Sequence, residues 1–115
     1  MTRRHATPSF IPGDGYVACL TPHFKEQMDT PRLGTGSQTA RELGITPSLI
    51  KSLLPKMFSA SNGETCGATV NGVANLYWRT TWSTRRDRIE VEVISITPPD
   101  YVQTFKHGNT RTVTL

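Results

Sequence analysis

Cys19 and His23 stand four residues apart, and Cys66 and His107 could complete with them a set of two thiolates and two imidazoles of the kind that holds zinc tetrahedrally. The second pair has no local spacing of its own, and no CxxC occurs. The sequence therefore predicts two reduced thiols and no metal. Other signatures of chemistry are missing from the string: no glycine loop ending in Lys and Ser/Thr, no HExxH, no GxSxG, no ladder of acids for Mg²⁺. No cofactor is expected. What remains is positive charge. The net charge is +4 with a pI near 9.4, and the excess lies in the middle: residues 29–88 carry eight basic against four acidic side chains, while the flanks cancel. Such placement points to a polyanionic partner, nucleic acid first.

The elements that must position these groups follow from punctuation and period. With 115 residues and 36% apolar content, one domain with a small core is expected. Residues 1–14, with two prolines and with Arg3, Arg4 and His5, read as an extended arm. "GYVACL" suits a strand, and "TPHFKEQM" opens with a Thr N-cap and a Pro at the first helical position. Asp29–Gln38 is a loop by composition. A second Thr-Pro start at Thr46 and Pro47 begins another helix, which Pro55 should end near Leu54. Ser59–Gly72, rich in small and polar residues, reads as a loop. From Val73 the period becomes two: "ANLYWRTTW" and "IEVEVISI" flank the charged turn "STRRDR", and "YVQTF", "KHGN" and "TRTVTL" give a second hairpin. The predicted layout is α+β, a short N-terminal strand and two or three helices followed by about four antiparallel strands over 73–115. No segment reads as a signal peptide or a membrane helix, so a cytoplasmic protein is expected.

Between Thr39 and Leu54, Ala40, Gly44 and Ile50 supply a small residue for a close crossing, a residue for positive φ and an aliphatic anchor, with Leu43, Ile45 and Leu53 completing the buried stripe. With the Thr46-Pro47 cap, "LGITPSLIKSLL" resembles the turn and second helix of helix-turn-helix regulators, including phage repressors of the Cro kind. The resemblance implies a second helix in the major groove. Thr46, Ser48, Lys51 and Ser52 would then face DNA, while Gln38 and Arg41 grip the backbone. That helix has no Arg, Asn or Gln for bidentate base contacts, so sequence reading would be modest. Arg85, Arg86 and Arg88 at the hairpin tip, with Arg79 on the strand, look like the wing of winged helix proteins.

The same element order also resembles small metal-independent ribonucleases of the RelE and colicin type. That resemblance implies His23 as proton-transfer group, His107 as a second one, Arg79 and Arg111 as cations, and Thr112 or Thr114 as a hydroxyl around a scissile phosphate. The favoured expectation is a non-catalytic, homodimeric regulator of transcription or replication on duplex DNA. An RNA-cleaving toxin and a structural or host-factor-binding protein are the alternatives.

Overall fold

The computed structural model of the chain describes residues 7–31, 33, 36–61, 63–99 and 110–115. Strands β1 (Ser9–Pro12), β2 (Val17–Leu20), β3 (Thr65–Val70), β4 (Ala74–Ser83), β5 (Arg88–Thr97) and β6 (Arg111–Thr112) form one sheet in the order β1-β2-β5-β4-β3-β6. Helices α1 (Pro22–Met28) and α2 (Pro47–Ala60) pack on one face of it. The expected helix-rich front half with about four antiparallel strands is therefore wrong. The sheet is mixed, with β2 parallel to β5 and β3 parallel to β6, and it dominates the described residues.

Three segments account for the difference. Ser9–Pro12, taken as part of an arm, forms the edge strand, with Pro12 at its end where a missing N–H costs little. Thr65–Val70, taken as loop, is a strand built from small residues. Cys66, Ala68 and Val70 alternate into the core, and Gly67 is needed because a Cβ there would stand 2.9 Å from the Tyr77 ring. Arg111–Thr112 joins β3 in parallel, and the first strand and turn of the expected second hairpin lie outside the described residues.

The β4–β5 hairpin follows its alternation, sending Leu76 and Trp78, Val91 and Val93 inward. Its register shifts between Tyr77 and Trp78, where Ile94 has no partner of its own across the pair. Helix α1 docks at this bulge. The Thr21 hydroxyl accepts the Phe24 amide as N-cap and lies 3.1 Å from the Val93 carbonyl and 3.3 Å from that of Ile94, while the Ile96 amide donates to buried Gln27 Oε1 at 3.0 Å. The irregular backbone is thus satisfied from the helix, and the helix is fixed in place.

Helix α2 starts as expected, with Thr46 capping the Leu49 amide and Pro47 next, but it runs through Pro55 to Ala60. Pro55 and the Lys51 turn it faces lie on the exposed side, so the carbonyl released by the missing N–H can turn to water. The last carbonyls are capped from the sheet and by the residue that follows the helix. Trp78 Nε1 donates to Met57 O at 2.9 Å, the Ser61 amide to Phe58 O, and Arg111 Nη1 to Ala60 O at 3.4 Å.

The first helix of the proposed helix-turn-helix is a single 3-10 turn, Arg41–Leu43. Thr39 and Glu42 cap each other reciprocally, the Thr39 amide and hydroxyl donating to the carboxylate and the Glu42 amide to the Thr39 hydroxyl; Gly44 ends the turn at φ 85°. Those Thr39 bonds hold the Glu42 carboxyl below its ordinary pKa. Start and stop signals five residues apart leave no room for helix propagation. Ala40, Ile45 and Ile50 are buried as the motif requires, but Leu43 and Leu53, expected in the same buried stripe, are only half-buried, and the set anchors a turn rather than a helix pair.

Two stability outcomes follow. Trp78→Phe should cost about 1–3 kcal/mol in urea denaturation, because it orphans the Met57 carbonyl and thins the core. Pro55→Ala should stabilise by about 2 kcal/mol by restoring a helical hydrogen bond, partly offset by a more flexible unfolded chain.

Candidate functional site

Seen down its axis, α2 is divided cleanly. Ile50, Leu54 and Met57 are buried, and Ser48, Lys51, Ser52, Pro55, Lys56 and Ser59 are exposed. At about 100° per residue, Ser48, Ser52, Pro55 and Ser59 form the central ridge, with Lys51 on one flank and Lys56 on the other. The helix contains no acidic residue, and neither lysine has an ion-pair partner among the described residues. Ser48, Lys51 and Ser52 are the residues the sequence places on this face; Lys56 and Ser59 join them because the helix continues past Leu54, where Pro55 is expected to end it. Thr46 is only half-exposed, and its hydroxyl serves the cap. Beside Lys51 a groove of about 420 Å³ runs along the helix to Asp14, above the stacked rings of Tyr16 and Phe58.

The arginines of the hairpin are arranged differently. Strand alternation puts Arg79, Glu90 and Glu92 on the face of the sheet away from α2, since their neighbours Trp78, Val91 and Val93 point to it. Arg86 grips the buried Glu90 carboxylate with two bonds, at 2.7 and 3.0 Å, and Arg88 adds a third at 2.9 Å. Both guanidiniums lie about 5 Å from the ring centre of Phe10 on β1. Arg79 meets Glu92 at 3.3 Å. The bonds from Arg86 outweigh burial and, with those from Arg88, hold the Glu90 carboxyl below its ordinary range; the same pairing raises the Arg86 pKa. Three of the four arginines proposed for a wing are thus occupied by carboxylates. Arg85 alone among them is exposed without an ion pair among the described residues. Phe10, the residue that closes this cluster, was hidden in the sequence by its place in an apparent arm.

Gln38 and Arg41 make contacts of their own. Gln38 is half-buried and bridges Leu33, and Arg41 lies 3.7 Å from Asp29 on the surface. The structure therefore keeps Ser48, Lys51 and Ser52 together and places Arg79, Arg86 and Arg88 on the opposite side of the sheet.

The ribonuclease set is not gathered. His23 is exposed on α1, which is docked on β5, and Arg79 faces the other side of the sheet. Arg111 and Thr112 lie on β6, three strands from β5 or about 14 Å. Thr114 is exposed beyond that strand, and His107 lies outside the described residues. Cys19 and Cys66 are also three strands apart and face opposite sides; burial, first of all, raises both thiol pKa values. Among the described residues, no three His, Cys, Asp or Glu side chains converge on a metal-sized point, and no helix is long and apolar enough to cross a membrane.

Comparison of the chain with protein-family models, curated proteins and solved structures found no match.

A depressed folded-state pKa means that Glu90 stabilises the fold fully above the ordinary glutamate range and loses that contribution as pH falls through the depressed value. Glu90→Gln should lower the melting temperature at pH 7 by several degrees and flatten the acid-induced loss below about pH 4.5. Melting curves across pH check both.

Proposed function

We propose that the protein is a non-catalytic nucleic-acid-binding regulator that lays the outer face of α2 in the major groove of duplex DNA. The observation that carries this reading is the acid-free helix with a ridge of serines between two lysines that have no ion pair among the described residues. The ridge is low, so the helix can approach the floor of a groove about 12 Å wide, while Lys51 and Lys56 reach toward the phosphate walls on either side. The exposed serine hydroxyls suit phosphate or base edges. Ser52 already donates to the Leu49 carbonyl at 2.6 Å and keeps its acceptor lone pairs.

Binding of this kind is dominated by phosphate neutralisation and tolerant of sequence, since no bidentate base reader stands on the face. Arg85 can add a contact from the hairpin tip, whereas Arg86 and Arg88 would first have to leave Glu90. One such helix gives little affinity, and a homodimer on two half-sites is the assembly that makes regulation possible.

Fluorescence anisotropy with labelled duplex DNA over a series of salt concentrations tests the reading. Lys51→Ala and Lys56→Ala should each weaken binding and lower the slope of log K against log salt by about one counterion. Arg86→Ala should change the slope by much less. Absence of binding at low salt, or slopes unmoved by both lysine variants, would falsify the proposal.

A further inference from the structure

A separate cavity of about 160 Å³ opens between β1, α1, the Arg41 turn and the start of α2. Its lining is mostly carbon, from Ile11, Leu20, Met28 and Pro47; Lys25, Arg41 and Asp29 also line it, and the more than half-exposed side chains of Arg41 and Asp29 put this charged group at the solvent side, its mouth. A dry, apolar cavity of about 150 Å³ is large enough for one benzene ring. The size therefore suits a single aromatic ring or a short branched chain.

The mouth decides the charge of the occupant. Lys25 Nζ donates one bond, to the Thr7 carbonyl at 2.9 Å, and an ammonium has three protons to give. Arg41 and Asp29 approach only to 3.7 Å, beyond hydrogen-bond distance, with both side chains more than half exposed. The guanidinium fork is thus free to turn to a better acceptor, and the three groups together carry one net positive charge. A ring-sized apolar body with one carboxylate matches both halves of the site: the ring fills the cavity and the carboxylate meets Arg41 and Lys25.

We propose that this cavity binds a small aromatic monocarboxylate, of the benzoate class, independently of the nucleic-acid surface on α2. Because Pro47 lines the cavity and is the first residue of α2, the occupant would sit against the capped start of that helix.

Titration of the isotope-labelled protein with benzoate, benzyl alcohol and acetate, followed through backbone amide shifts, tests the proposal. Benzoate should saturate with a dissociation constant of about 0.1–1 mM, in line with nine heavy atoms at modest efficiency. Its largest shifts should fall on Leu20, Met28, Asp29 and Arg41. Benzyl alcohol, which keeps the ring and loses the charge, should bind at least about tenfold more weakly, and acetate should not saturate. Arg41→Gln, at an exposed position that leaves the core intact, should weaken benzoate about fivefold or more and leave benzyl alcohol unchanged. The proposal is overturned if benzoate shows no saturable shifts, if its shifts lie elsewhere, if benzyl alcohol binds equally well, or if Arg41→Gln leaves benzoate affinity unaltered.

Discussion

The indole of Trp78 is the interaction on which the arrangement of the molecule turns. It is the largest fully buried side chain, it stands at the centre of β4, and its N–H caps the Met57 carbonyl in the last turn of α2. A buried indole N–H without an acceptor would be costly, and so would an uncapped helix end against a sheet. One bond resolves both. With Ser61 holding the Thr80 amide at 3.0 Å just beyond, it sets the angle at which α2 leaves the sheet and so directs the Lys51–Lys56 face to solvent. At the other end of the helix layer, the bulge at Ile94 and the polar groups of Thr21 and Gln27 do the same for α1.

The charge of the chain divides along this architecture. Counted in the sequence, every arginine near the hairpin tip adds to a central basic excess. In the fold, Arg79, Arg86 and Arg88 meet Glu90 and Glu92 across one face of the sheet, and Phe10 seals the cluster from β1. Their charge is spent within the protein. The lysines of α2 stand on a helix with no acidic residue and have no ion pair among the described residues. A surface that interacts with polyanions is therefore defined less by where basic residues are densest than by where they lack carboxylate neighbours.

Several local structures were legible because short-range chemistry specifies them. The two Thr-Pro starts cap α1 and α2 as they should, and the alternation from Leu76 to Val93 forms its hairpin. "TARELG" misled for an instructive reason. Its Thr and Glu are spaced as a capping box and its glycine as a C-cap, and the two signals are so close that they enclose one turn. Pro55 misled in the other direction, since a proline on the solvent side of a helix held by its buried face is tolerated. Thr65–Val70 looked like loop because its small residues record the closeness of Tyr77, which is a fact about a neighbouring strand.

Taken alone, the sequence determined the caps, the Ile50 anchor of α2 and its exposed Lys51 side, the period-two strands and the sign of the net charge, whereas the rest of the buried stripe falls on Leu54 and Met57 rather than on half-buried Leu53. These depend on residues within a turn or a strand of one another. Only the tertiary structure decided that Ser9–Pro12 and Arg111–Thr112 lie at opposite edges of one mixed sheet, that β2 runs parallel to β5, and that Arg86 and Arg88 of the tip turn to Glu90 while Arg85 stays exposed. Strand partners are chosen by hydrogen-bond ladders and burial between segments up to about 70 residues apart, and a period of two tells a strand which side to bury without saying against whom.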